Sequence, residues 1–221
     1  MTVLLLLLLG VLLGGCASTR LVSDQPNPSL RERSLAVRIG STPSFYADTP
    51  ERRNYGVFGV VAMMRSGNQL VEQYALQDPA AILSEDLAAS LMETNRMRAA
   101  SPERADLLLD IKTINWDFRP YRKNAEALYV VYSARVSLID TRSGRVLASG
   151  KCRSVRDPDS DRASLDALLA DNARLLHDEL REAGHECAQR MKRETLSAFL
   201  ERSVPPVASR QVPLGSVTAA H

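Results

Sequence analysis

Alternation of apolar and polar residues is most regular between Leu128 and Leu138. Leu128, Val130, Tyr132, Ala134, Val136 and Leu138 fall on one side, and Ser133, Arg135 and Ser137 on the other. This is the pattern of a half-buried strand. Asp140-Thr141-Arg142-Ser143-Gly144 follows as a hairpin turn in which Gly144 can take a positive φ. Arg145 to Cys152 then returns as the partner strand, with Val146, Ala148, Gly150 and Cys152 facing inward. Upstream, Ala105 to Phe118 also alternates, but its parity changes. Leu107, Leu109 and Ile111 share one face, and Ile114, Trp116 and Phe118 the other, which predicts a bulge near Lys112-Thr113. A shorter strand, Ser34 to Ile39, places Leu35, Val37 and Ile39 on one side and ends at Gly40.

Two stretches carry the helical period instead. Asp78-Pro79 is a helix start, with Asp at the cap and Pro at the first helical position. Leu83, Leu87 and Leu91 follow at fourfold spacing and predict a helix to about Asn95. A longer helix runs from about Ala163 towards Leu200. Its stripe is Leu165, Leu169, Leu176, Leu180, Ala183, Cys187 and Met191, with a kink expected at Gly184. The order β-α-β-β-β-α implies an α+β two-layer sandwich. We expect a mostly antiparallel sheet of about four strands with both helices on one face.

One apolar stretch fits neither period cleanly. Gly56 to Met64 reads GVFGVVAMM, the most apolar run after the N-terminus, and is too short to cross a membrane as a helix. Short apolar runs usually pack in a core. The same residues, Val57, Phe58, Val60, Val61, Met63 and Met64, are also the candidate partner-contact surface. Residues 16–33 read as a tether, 34–202 as one domain, and 203–221, which lack periodicity, as a disordered tail.

The N-terminus decides where the chain resides. Val3 to Leu13 is apolar apart from Gly10, short for a membrane span and suited to the core of an export signal. No Lys or Arg precedes it: either the start codon is misassigned or the α-amino group alone supplies positive charge there. The run closes on Leu13-Gly14-Gly15-Cys16, which resembles the lipobox of bacterial lipoproteins. The resemblance implies a signal peptide over 1–15, cleavage between Gly15 and Cys16, and acyl chains such as palmitate on Cys16. Two or more acyl chains hold a protein stably on a membrane without a transmembrane helix. Ala17-Ser18 follows Cys16. In the proteobacterial sorting pattern of that class, the lack of Asp there implies the outer membrane, facing the periplasm. The order of elements over 34–200 is similar to small outer-membrane lipoproteins that assist transport machines, such as the lipopolysaccharide-translocon and curli-secretion types.

Export changes the reading of the cysteines. With Cys16 assigned to lipid, Cys152 and Cys187 remain as a pair in a compartment that permits disulfides. A bridge would close a loop of about 35 residues and stabilise by roughly 3–4 kcal/mol. Two buried free thiols are the alternative.

Other chemistry is sparse. A formal net charge of +2 gives no electrostatic case for nucleic acid. Asp157, Asp159 and Asp161 begin like a calcium loop, but Pro158 intrudes, and Arg162 and Leu168 stand where Gly and Glu are required. His177 and His185 are eight residues apart, too far along a helix to share a metal, and His221 is remote from both. Solvated histidines are expected. No metal site, cofactor or catalytic set emerges. Trp116, Arg119, Tyr121, Arg122 and Lys123 cluster basic and aromatic residues, the makings of a glycan- or lipid-binding connection. The expectation is a non-enzymatic envelope lipoprotein that binds a protein partner in envelope assembly or transport. A binder of lipopolysaccharide or peptidoglycan through residues 116–123 is the alternative.

Overall fold

A computed structural model describes residues 30–49, 56–122, 124–156 and 163–200. Six strands and four helices lie among them: β1 (Ser34–Ile39), β2 (Tyr46–Ala47), α1 (Gly56–Tyr74), α2 (Ala80–Asn95), β3 (Arg98–Ala99), β4 (Leu107–Pro120), β5 (Leu128–Asp140), β6 (Val146–Arg156), α3 (Leu165–Glu194) and α4 (Ser197–Leu200). The strands form one sheet in the order β3-β1-β4-β5-β6, with β2 also pairing β4. α2 lies against β1 and β4, and α3 against β5 and β6. The α+β class and the helical layer agree with the sequence pattern.

The mostly antiparallel pairing agrees as well, but strand number and order do not. The long strands β4, β5 and β6 are antiparallel, as their hairpins require, but β1, β2 and β3 pair in parallel. Two helices fill the chain between β1 and β4, and a connection of that length can carry the chain back to start a parallel neighbour. The two-residue strands β2 and β3 are too short to show any period. The expected element order also lacks α1, because GVFGVVAMM was assigned no period.

The bulge is where the alternation places it. Register along β4–β5 shifts between Thr113 and Asn115, and Ile114 is extruded to solvent. The extra residue restores parity, so Leu107, Leu109 and Ile111 share one core with Trp116 and Phe118. Across from them every predicted inward residue of β5, from Leu128 to Leu138, is buried. Thr113 Oγ1 donates to the Asp78 carboxylate at 2.7 and 2.8 Å, and Asp78 Oδ1 accepts from Ala80 N at 2.9 Å. One Asp thus caps α2 and anchors it to the bulge.

The long helix departs from expectation. Its break falls at Ala170–Ala173, where Asp171, Asn172 and Ala173 take φ of 51, 59 and 57°. Asp and Asn are the side chains that best tolerate this left-handed region. Gly184 stays helical. A Cβ there would lie 3.0 Å from the Pro79 carbonyl and 3.2 Å from Ile82 Cβ, so glycine serves the close approach of α2 rather than a kink. The break also turns the first helical turn, so that Leu168 is buried while Leu165 and Leu169 are partly covered. The expected stripe holds from Leu176 to Met191.

The two described histidines, His177 and His185, are joints, not free groups, and His221 lies outside the described residues. His185 Nδ1 lies 2.7 Å from Asp86 Oδ2, linking α3 to α2, and His177 Nε2 meets the Tyr74 carbonyl at 2.9 Å. At the end of β6, Arg156 bridges Glu179 at 2.9 Å and Glu186 at 2.7 Å, and Ser154 also bonds Glu186. The packed domain starts earlier than Ser34. Leu30 is buried, and Arg33 pairs with Asp140 at 2.7 Å. That guanidinium, with the Ser143 backbone N–H, holds the Asp140 carboxyl well below the usual carboxylate range.

Cys152 and Cys187 form a disulfide with Cα atoms 5.4 Å apart. It ties β6 to α3 within the core. Replacing both cysteines with Ala should lower unfolding free energy by roughly 3–4 kcal/mol in oxidising buffer. Urea unfolding of parent and variant side by side measures this, and an unchanged midpoint would show that packing alone holds α3 to β6.

A half-docked apolar helix as the candidate functional site

The apolar run is the first half of α1, and the two halves of this helix have different surroundings. The second half is seated. Leu70, Val71 and Tyr74 pack against the core, and Gly67 lies directly over the Phe45 backbone. A Cβ at Gly67 would fall 1.7 Å from the Phe45 carbonyl oxygen, so only glycine admits this contact. Phe45 is itself fixed from below. Its ring meets Trp116 edge-on at 5.0 Å and Phe118 at 5.7 Å. The last turn is held by His177 on the Tyr74 carbonyl, and Ala75 then takes a left-handed φ of 51° that ends the helix.

The first half projects. Phe58 is 83% exposed, Val61 59% and Val60 45%, while Met63 and Met64 are half-buried. The expectation that this segment packs in the core is therefore wrong for Phe58, Val60 and Val61. The side chain of Val57 lies outside the described residues. Phe58 and Val61 are three apart and share a face that continues through Arg65, Asn68 and Glu72, all exposed. Fully burying a Phe or Val side chain is worth about 1.5–3 kcal/mol, and this helix forgoes that gain at several positions.

The basic-aromatic connection fares differently. Trp116 is buried, and its Nε1 donates to the Pro43 carbonyl at 2.8 Å. Strand alternation sends Asp117 and Arg119 to the other face. Arg119 forks onto the Asp117 carboxylate through Nε at 2.9 Å and Nη2 at 2.5 Å. Hydrogen bonding to that carboxylate raises the guanidinium pKa. Tyr121 packs on Tyr129 with centroids 5.0 Å apart, and Arg122 is exposed. Lys123 is outside the described residues. Of the four described residues, Trp116 lies in the core, apart from Arg119 on the other face of β4 and from the exposed Arg122.

Gly15, Cys16, the Asp157–Asp161 turn and the 203–221 tail also lie outside the described residues. Among the described residues no three His, Cys, Asp or Glu side chains cluster as metal ligands. No described helix is long and apolar enough to cross a membrane.

Neither a family model nor a curated protein matches the chain. Solved structures do. The PelC dodecamer from Paraburkholderia phytofirmans is 13% identical, over 81% of this chain and 95% of that chain, with a TM-score of 0.35. A minor lipoprotein from Acinetobacter baumannii is 7% identical over 72% and 91%, with a TM-score of 0.34. Lipoprotein B from Nitrosomonas europaea is 12% identical over 76% and 89%, with a TM-score of 0.35. Lipoproteins therefore stand among the similar structures. TM-scores at this level assign neither a fold nor a role to this chain.

The seat of α1 can be broken at one atom. Gly67→Ala should force the helix off Phe45, costing about 1–3 kcal/mol, as overpacking does. Hydrogen exchange should then quicken at Leu70 to Tyr74 and leave β5 unchanged. Unaltered protection there would mean that Gly67 does not seat the helix. Val61→Ser, on the projecting half, should change stability by less than about 0.5 kcal/mol.

Proposed function

We propose that this protein is a lipid-anchored, non-enzymatic accessory of the bacterial envelope that docks a partner protein on the projecting half of α1. The observation that carries the reading is the helix whose C-terminal half is locked in place while Phe58, Val60 and Val61 stand in solvent. A rigidly seated helix presenting apolar side chains on one face is the geometry of helix-in-groove recognition. Phe58 is the large anchor such contacts are built around. The same face carries both Arg65 and Glu72, which suits a protein groove with mixed charge better than an anionic lipid surface.

The anchor rests on Leu13-Gly14-Gly15-Cys16. The Cys152–Cys187 bridge is in keeping with an exported, oxidising location. The Ala17-Ser18 pair after Cys16 favours the outer membrane, with the domain facing the periplasm.

Two readouts test this. The mass of the native protein should show Cys16 acylated, and Cys16→Ala should leave the outer-membrane fraction. An unacylated native Cys16 would remove the anchor. A photo-crosslinking residue at position 58 should give a discrete adduct with another protein in cells, lost when Val61→Glu is added. The same residue at exposed position 142 should give none. Adducts at position 58 only with lipid, or only with a second copy, would overturn the partner assignment.

A further inference from the structure

The face of the sheet turned away from α2 and α3 carries a row of cations. Strand register places Lys112 of β4 directly opposite Arg135 of β5, and Arg135 directly opposite Lys151 of β6. All three alternate with buried core residues, Ile111, Ala134 and Cys152 among them, so they share the outer face and are exposed. Directly opposed residues have Cβ atoms about 4.5–5.5 Å apart, and like charges in that position destabilise a sheet. Arg153, opposite Ser133, adds a fourth exposed cation beside the row.

The acids on this face are already engaged. Asp110 binds Arg38 at 2.6 Å and faces Lys112 at 3.8 Å, and Asp117 is held by Arg119. Among the described residues no carboxylate pairs with Arg135, Lys151 or Arg153. Glu194 lines the same depression as Lys151 and Arg153, together with Ile114, Ser133 and Arg190. Arg190 Nη1 donates to the Arg153 carbonyl at 2.7 Å, which brings another cation to the margin.

Edge protection accounts for part of this. β6 is an edge strand, and charged residues such as Lys151 and Arg153 deter edge-to-edge pairing. It does not account for Arg135, because β5 is paired on both sides. A cation between two others on a central strand costs stability, and among the described residues no carboxylate pairs with Arg135 to offset it.

We infer that the Lys112–Arg135–Lys151 row binds the phosphates of anionic phospholipids at the surface of the bilayer to which the protein is tethered. Charge complementarity supplies the attraction, at about fivefold in affinity per cation near an anionic surface. The tether supplies the reach. Residues 17–29 separate Cys16 from the packed Leu30, and such a chain spans up to about 50 Å when extended. The row is therefore within reach of the anchoring membrane. This inference rests on the lipid anchor proposed above.

The lipidated protein, reconstituted on vesicles, provides the test, and its intact mass reports the anchor separately. Lys112 and Lys151 are labelled with an uncharged amine reagent, with Lys192 on α3 as internal reference. On vesicles containing one-third phosphatidylglycerol, labelling of both should slow at least about fivefold relative to Lys192. High salt, or vesicles of phosphatidylcholine alone, should abolish the protection. Equal rates on both vesicles, with the acylated mass present, would overturn the inference. So would protection by soluble dextran sulfate on neutral vesicles with none from phosphatidylglycerol.

Arg135→Glu gives a second, independent arm. It places a carboxylate between two lysines, so the urea midpoint should rise while protection on anionic vesicles is lost. A midpoint below the parent's would refute the cost ascribed to the row, and retained protection would refute its role.

Discussion

The extra residue in β4 is the constraint on which the rest of the molecule depends. A strand of strict period two would send Trp116 and Phe118 to the face opposite Leu107, Leu109 and Ile111. The bulge at Ile114 returns both aromatics to the same core. Three consequences follow along the chain. Thr113, at the bulge, binds the Asp that starts α2. Trp116 and Phe118 receive Phe45 between them. The Phe45 carbonyl then forms the seat over which Gly67 of α1 closes. A single inserted residue in the central strand thus sets the helical layer on one side and the projecting helix on another.

The disulfide closes the opposite end of the same core. Cys152 stands across from Ala134 on β6, an edge strand with a neighbour on one side only, and Cys187 sits on the longest helix. α3 is interrupted by three left-handed residues, of which Ala173, being neither Asn nor Asp, is disfavoured there by roughly 1–2 kcal/mol. Covalent attachment beyond that break, with Arg156 gripping Glu179 and Glu186, keeps the C-terminal part of α3 on the sheet whatever its first turn does.

Much of this was legible from period and parity alone. Six buried positions of β5, the bulge, the turn at Gly144, the Asp78 start of α2 and its end at Asn95 are all local signals, and each is where the pattern puts it. The cysteine pair was legible because assigning Cys16 to lipid leaves an even number. The misses have physical causes too. β2 and β3 carry two residues each, below any period. The break in α3 falls at Asp171-Asn172, a pair that tolerates left-handed φ but leaves no mark on the apolar stripe. Gly184 and Gly67 are required by long-range approaches, to Pro79 and Phe45, that no local window contains. Within β4, proximity in sequence is not proximity on a face: Trp116 turns into the core and Arg119 to the other side of the strand. Composition located the GVFGVVAMM segment as unusual, but its exposure depends on where Phe45 places α1.

Two features of the surface run against stability, and they do so differently. The projecting half of α1 leaves apolar area in water, and the seat at Gly67 and the contact from His177 to Tyr74 hold the helix in place. The cation row places Arg135 where a Glu or Thr would satisfy the sheet better. A fold selected only to persist would retain neither. The first offers dry, shape-dependent contact, which requires a partner with a groove. The second offers long-range, shape-independent attraction, which requires only a surface of negative charge. A tethered domain with both can be oriented by its membrane through the weak, distributed term and still keep the specific term for protein. Tethering also relaxes the affinity each must supply, since a surface held within one tether length is already at high local concentration.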